Sequence, residues 1–323
     1  MTVQPQPVAR FRVSHGLKAG ACILVAVFLM ALSACGTTSS NGPGTTPVAA
    51  VPTSTVTCPT DSASWHLVAA NTLTIASDTT YAPAEYADPN NPQHFIGYDM
   101  DLVREIARRL CLTPNIIKAN FSDIITDISG GALGQQRYDI SISSFSITPA
   151  RQQKVAMIPY FQAGESILTL TANPGNIKSI ADMCGKTIAV QNGTTEKSEV
   201  EDANGTGDGS SGQAPICKQA GKPINILSYD DQTVVVQQVL NGRADASYQD
   251  QPVTDYYVSL NKGKLIDSGI TVQPSPEGIV VRKDNPALVQ AITNALNEMR
   301  QDGTYLRILE AWGQQKLAYP PLS

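Results

Sequence analysis

Short apolar runs alternate with amphipathic stretches along most of this chain, and the alternation runs through twice. In the first round Leu73-Thr74-Ile75-Ala76-Ser77 predicts a strand, bounded afterwards by Asp78 and Pro83. Asp99 is the expected N-cap of a helix with Asp101 in its first turn and Leu102, Val103, Ile106 and Leu110 as its apolar stripe. Glu105 and Arg109 read as a weak solvent-side pair four residues apart. Ile116-Ile117 fits a short strand, Ile124, Ile125 and Ile128 a helix closed by Gly130-Gly131, and Ile140 to Ser144 the next strand. The second round opens near Gly185. It predicts strands at Thr187 to Val190, Ile226-Leu227 and Ala244 to Tyr248, with a helix from Thr233 to Leu240 stopped by Gly242. Gly278 to Arg282 predicts a late strand, followed by helices at Ala287 to Arg300 and Tyr305 to Trp312. Such alternation implies an α/β fold with parallel sheets and crossover helices.

The N-terminus reads as an export signal over residues 1–34. Arg10, Arg12 and Lys18 precede the apolar run Ala21 to Leu32, which is short for a bilayer span. It closes on Leu32-Ser33-Ala34-Cys35, which resembles the lipobox of bacterial lipoproteins. The resemblance implies cleavage before Cys35 and a lipid on its sulfur. Residues 35–64 then form a tether, whose Ser, Thr, Pro, Gly, Ala and Val up to about Thr57 cannot bury enough surface to fold. The full chain carries a net charge of −5, and losing the first 34 residues, with three basic and no acidic side chains, takes it to −8. That balance argues against nucleic acid as a partner, since phosphate binding needs a basic face. With Cys22 in the signal and Cys35 lipidated, four of the six cysteines remain. The expected bridges are Cys184–Cys217 and Cys58–Cys111, although four cysteines allow three pairings. No CxxC spacing occurs, which argues against a zinc or redox site. No cofactor is expected.

Ligand chemistry gathers in the run from Asp139 to Arg151. There a strand gives way to Ser143, Ser144 and Ser146, then to Thr148-Pro149-Ala150-Arg151. Hydroxyls and freed amides donate to carboxylate oxygens, and a planar guanidinium meets both at once. Arg137-Tyr138-Asp139-Ile140-Ser141 is echoed by Arg243-Ala244-Asp245-Ala246-Ser247, which leads instead into Gln249 and Asp250. Ligands of open parallel sheets sit beyond the strands' carboxyl ends. One cationic and one anionic end across a cleft would suit a zwitterion.

With these segments in view, the chain from about residue 70 to residue 313 resembles the extracytoplasmic solute-binding proteins of ABC-type amino-acid importers. The matching segments include Ala76-Ser77-Asp78-Thr79-Thr80-Tyr81-Ala82-Pro83, Gly97-Tyr98-Asp99-Met100-Asp101-Leu102, Gln191-Asn192-Gly193-Thr194-Thr195 and Asp302-Gly303-Thr304-Tyr305. The resemblance implies the two-lobed periplasmic-binding-protein fold of type II, with two parallel-rich sheets and a double-crossover hinge. Lobe one would comprise 65–164 and 274–323, and lobe two 165–273. It also implies that Arg151 clamps a ligand's α-carboxylate, helped by Ser144 and by Thr195, with Thr194 beside it. Ser146 and Asp250 would receive the α-ammonium and Ser143 would touch the ligand. Tyr81 and Phe121 would sandwich the side chain, with Asp78 near its end. Read without the family, a blander alternative stays open for each: Tyr81 and Phe121 as core aromatics, Asp78 as a turn cap and Asp250 as the partner of a surface cation.

The expected function is capture of a free polar amino acid outside the cytoplasmic membrane by a lipid-anchored monomer, and its delivery to an ABC permease. Ser143-Ser144 and Gln249-Asp250 most resemble binders of histidine and of lysine, arginine and ornithine, while Asp78 with an aromatic at 81 also suits glutamine binders. A glutamate binder is a further alternative. The rival is an exported dehydratase of cyclohexadienyl or arogenate type on the same scaffold. His15, His66 and His94 lie outside the cleft segments, and no nucleophile–base motif appears, so no enzyme is expected. A sensory ectodomain would carry a following membrane span, whereas this chain ends at Pro320-Pro321-Leu322-Ser323. The Gly- and Ser-rich insertion from Glu201 to Pro215 is expected to be a mobile loop.

Overall fold

A computed structural model describes residues 57–60, 62–130, 136–172 and 176–320. The export signal, Cys35 and the tether up to residue 56 lie outside the described residues. The first round supplies β1 (Thr72–Ser77), β2 (Thr80–Tyr81), β3 (Glu85–Asp88), β4 (Asn91–Ile96), α1 (Tyr98–Arg109), β5 (Thr113–Lys118), α2 (Phe121–Ile128), β6 (Ile140–Ser141) and α3 (Pro149–Lys154). A long strand β7 (Val155–Leu170) leads into β8 (Thr187–Gln191), α4 (Thr195–Ala203), α5 (Ile216–Gln219), β9 (Asn225–Tyr229), α6 (Gln232–Leu240), β10 (Ala246–Asp250) and α7 (Gln251–Leu260). A second long strand, β11 (Leu265–Arg282), precedes α8 (Pro286–Gln301) and α9 (Thr304–Ala311).

The large sheet runs β5-β1-β6-β11-β7-β10-β8-β9. Its outer pairs are parallel, as crossover helices require, and β7 and β11 pair antiparallel at the centre. Each end of the sheet is covered on both faces. Leu73 and Ile75 pack with α1, α8 and α9, while Ala76 turns to the opposite face with Phe121, Ile124 and Phe145. In the other half Ile188 and Val190 face Val200 and Cys217, whereas Ala189 meets Val235, Val236 and Val239. Strands buried on both faces become nearly continuous apolar runs. This is the type II architecture, with each half owning its cores and the paired strands β7 and β11 crossing between them. Both expected disulfides, Cys58–Cys111 and Cys184–Cys217, are present.

Several sequence expectations are corrected. Asp99 is not the N-cap of α1; Gly97 holds that position at φ 134°, where a Cβ would lie 1.9 Å from the Ala84 oxygen. Glu105 and Arg109 do not face solvent, being 3 % and 8 % exposed. Arg109 Nε donates to Glu105 Oε1 at 2.7 Å and Nη2 to Asp302 Oδ2 at 2.6 Å, tying α1 to the turn between α8 and α9. Strand β6 ends at Ser141 rather than Ser144, and Ser144 itself leaves the extended region at φ 45°. The insertion begins inside α4 and folds back on Asp202, whose carboxylate accepts from the amides of Gly209 and Ser211 and from Ser211 Oγ.

Candidate functional site

Parallel strands bring their carboxyl ends to one edge of a sheet, and here the two halves turn those edges toward each other. The last residues of β8 and β10, the loop after β6, strand β2 and the starts of α2 and α4 line one small cavity. Tyr81, Phe121, Ser144, Ser146, Arg151, Thr194, Thr195 and Asp250 are brought together there. Asp78 and Ser143 lie just behind the lining. Ser143 Oγ accepts from the Asp78 amide at 3.0 Å and donates to Glu85 Oε1 at 2.7 Å. Asp78 accepts from Thr80 Oγ1 at 2.9 Å and from the side-chain amide of Gln191.

Arg151 stands in the short helix α3, whose N-cap Thr148 accepts from its amide at 3.2 Å. Its Nη1 donates to the Ser146 carbonyl at 2.9 Å and its Nη2 reaches across to the Gly193 carbonyl at 3.0 Å. The guanidinium carbon sits 5.5 Å from the Phe121 ring and 5.1 Å from the Phe145 ring, which stack on each other at 4.2 Å. Phe121 therefore spends one face on Phe145. Thr194 caps α4, accepting from the Lys197 amide at 3.2 Å, and Thr195 Oγ1 lies 3.4 Å from Ser146 Oγ. From the opposite side Tyr81 Oη donates to Asp250 Oδ2 at 2.9 Å and accepts from the Asp250 amide at 3.1 Å. Gln232 N to Thr80 Oγ1 at 3.0 Å and Lys118 to Asp231 at 3.3 Å add further bonds across the gap.

Two residues of the lining went unread in the sequence, Gln191 and Glu196. Glu196 occupies the first turn of α4, where an acid reads as a favourable helix start. The signal available was its place directly after Thr194-Thr195, which turns it into the same cavity. Its Oε2 accepts from Thr195 Oγ1 at 3.2 Å, and its buried Oε1 reaches no donor among the described residues.

The electrostatics are lopsided. Burial raises Asp250 well above the usual carboxylate range, and Glu277 and Glu165 add to it while Tyr81 and Arg151 oppose it. Burial likewise raises Glu196, with Asp250 and Glu165 next. Asp78 is pushed up to about 6, chiefly by burial against the hydrogen bonds from Gln191 and Thr80. Burial lowers the Arg151 pKa, opposed by Glu196, Asp250, Glu277 and Glu165. A single guanidinium in the lining thus faces a surplus of carboxyl groups whose burial disfavours the charged form. Beyond Arg151 and Thr195 the gap widens into a solvent-open hollow of about 500 Å³ that also touches Lys154, Glu165, Glu199 and Ser211 of the insertion. Tyr248 Oη lies 2.5 Å from Glu165 Oε2 and 2.7 Å from Glu199 Oε2, and burial with the Glu165 charge pushes Glu199 up to about 8. Among the described residues no group of three or more His, Cys, Asp or Glu is arranged to hold a metal ion. His66 and His94 are exposed and stand outside this lining.

Residues 73–315 match the model of the bacterial extracellular solute-binding proteins, family 3. The chain is 28% identical over 252 residues to the ABC transporter arginine-binding protein 1 of Escherichia coli K12, covering 76% of this chain and 93% of that protein. Among solved structures it is similar to an ancestral arginine-binding protein bound to arginine, at 31% identity and TM-score 0.65 over 75% of this chain and 98% of that one. It is also similar to the ancestral amino acid-binding protein AncCDT-1, a precursor of cyclohexadienyl dehydratase, at 29% identity and TM-score 0.62 over 75% and 95%. The family match spans well over half of the chain, from β1 to the end of α9, and takes in every element that lines the cavity. The protein belongs to family 3 of the bacterial extracellular solute-binding proteins.

Proposed function

We propose that the protein captures a free basic L-amino acid, of the arginine, lysine, ornithine and histidine class, outside the cytoplasmic membrane and presents it to an ABC permease. The observation that carries this reading is the charge around the cavity: Asp78, Glu196 and Asp250 against Arg151 in the lining, with Lys118 behind Asp78 already paired to Asp231. An amino acid's carboxylate and ammonium use Arg151 and Asp250, leaving two acids for a side-chain cation. A glutamine side chain would leave those two without a cation, and a buried charge not met by an opposite one is costly. The arginine-binding names of the relatives point the same way.

Capture works by hinge closure. Residues 65–164 with 274–323 form one lobe and 165–273 the other, with β7 and β11 as the crossings. The carboxylate clamp comes from the first lobe and the ammonium acceptor from the second, so ligand favours the closed state by its differential affinity. Micromolar binding corresponds to about 8 kcal/mol, within reach of a few charge-assisted bonds. The protein acts as a monomer, exported by its signal and held to the membrane through lipid on Cys35, while Cys58–Cys111 fixes the tether's end.

Calorimetric titration with arginine, lysine, ornithine, histidine, glutamine and glutamate tests the reading. Basic ligands bind in the micromolar range or tighter, and glutamine about a hundredfold more weakly, a gap of roughly 3 kcal/mol. Tightest binding of glutamine or glutamate overturns the basic class. Turnover of prephenate or arogenate by the pure protein would instead make it a dehydratase.

A further inference from the structure

Beneath the serine turn, outside the cavity lining, lie two more carboxyl groups, Glu85 of β3 and Asp99 in the first turn of α1. Both are 0 % exposed. Each holds one serine of the turn. Ser143 Oγ donates to Glu85 Oε1 at 2.7 Å, and the Ser144 amide donates to Asp99 Oδ2 at 3.2 Å. Tyr160 Oη donates to that same Asp99 oxygen at 2.7 Å. Ser144 is held at φ 45°, a left-handed conformation that costs a residue with a Cβ about 1 kcal/mol or more, so its presentation needs an anchor. The remaining oxygens, Glu85 Oε2 and Asp99 Oδ1, reach no N–H or O–H donor among the described residues, and each carboxyl group feels the other as a close neighbour. Two buried carboxyl groups so placed can bond to each other only around a proton.

We propose that Glu85 and Asp99 share one proton, and that this acid pair is the positioning device presenting the Ser143–Ser146 turn to the ligand. The inference rests on the reading that this turn meets the amino-acid head group. Burial raises both groups above the usual carboxylate range, and for Glu85 the Asp99 charge adds to it. The groups facing the pair are Tyr98 from α1, Tyr160 from β7, Glu277 from β11 and Asp78 after β1, with no cation among them. Nothing there would compensate a second ionised oxygen. Asp99 Oδ2 accepts from two donors and Glu85 Oε1 from one, so Asp99 is the anion, Glu85 carries the proton, and Ser143 and Ser144 hang from one carboxyl group each.

Glu85→Gln copies the protonated acid, since its amide can donate to Asp99 while its carbonyl still accepts from Ser143. Glu85→Leu removes both bonds. The Gln variant keeps arginine affinity within about threefold of wild type, and the Leu variant, checked as folded by circular dichroism, loses about tenfold or more. Infrared difference spectra between wild type and Glu85→Gln at neutral pH show the loss of one deuterium-sensitive protonated-carboxyl band. Wild-type affinity in the Leu variant, equal losses in both variants, or no carboxyl band lost in Glu85→Gln each overturn the proposal. If the Leu variant does not fold, the Gln variant's affinity and the infrared band still decide. A wild-type protein that ignored basic amino acids would refute the proposed function instead, leaving the infrared comparison to judge the pair.

Discussion

Arg151 is the basic side chain of the cavity lining. Two carbonyls hold its guanidinium, one from its own turn and one from Gly193 across the gap, and two stacked phenyl rings lie against it. Arg151→Ala should abolish amino-acid binding, a loss of about a hundredfold or more, with the fold intact. Wild-type affinity for that variant in a calorimeter would refute the site. Asp250→Asn should weaken amino acids far more than their deaminated analogues, because only the former bring an ammonium; equal losses would show that Asp250 meets something else. Most of the lining was legible because it sat in short polar runs at strand ends, as with Ser146, Arg151 and Asp250. Glu196 was not, since an acid in a helix's first turn already has a local explanation. Asp99 was misread for the same reason: its carboxylate serves Ser144 and Tyr160 across the fold rather than its own helix.

Among elements, the short strands and amphipathic helices were readable from their periodicity, whereas β7 and β11 were not. Val155–Leu170 contains Pro159, Gly164 and several polar residues, and its extension depends on pairing with Leu265–Arg282 about a hundred residues away. No local pattern reports a partner at that distance. The ladder between them slips at several points from Asp267 to Gly278, which gives the crossing region an irregular pairing suited to bending. Closure also depends on how near the turn before α4 comes to α2. Gly193 sits at φ 82°, and a Cβ there would lie 2.7 Å from the Ser122 Cα. Gly193→Ala should therefore hold the lobes apart and weaken ligand binding by about tenfold. Small-angle scattering with saturating arginine should show a more open particle than wild type, and an unchanged profile would dismiss the contact.

At the scale of the molecule, the surplus of buried carboxyl groups makes charge a global variable. A carboxyl whose folded pKa is raised stabilises the fold fully below its unfolded pKa, and that stability is lost as pH rises through the folded value. Asp78, raised from 3.8 to about 6, accounts for about 3 kcal/mol of such loss, and Glu199, raised from 4.5 to about 8, extends the window upward. The melting temperature of ligand-free protein should fall from about pH 4 to pH 8. Arginine should reverse part of that fall, release protons on binding, and bind more tightly as pH rises from 5 to 8. Calorimetry in two buffers of different ionisation enthalpy measures the proton count, and proton uptake would mean that the acids do not meet the ligand's cation.

Cys58–Cys111 joins the segment before β1 to the residue just past α1. A tug on the chain ahead of Cys58 is consequently borne by a covalent strut into the first half, before it can peel Thr72–Ser77 out of the sheet. The second half stands outside that load path, like a door whose frame alone is bolted to the wall.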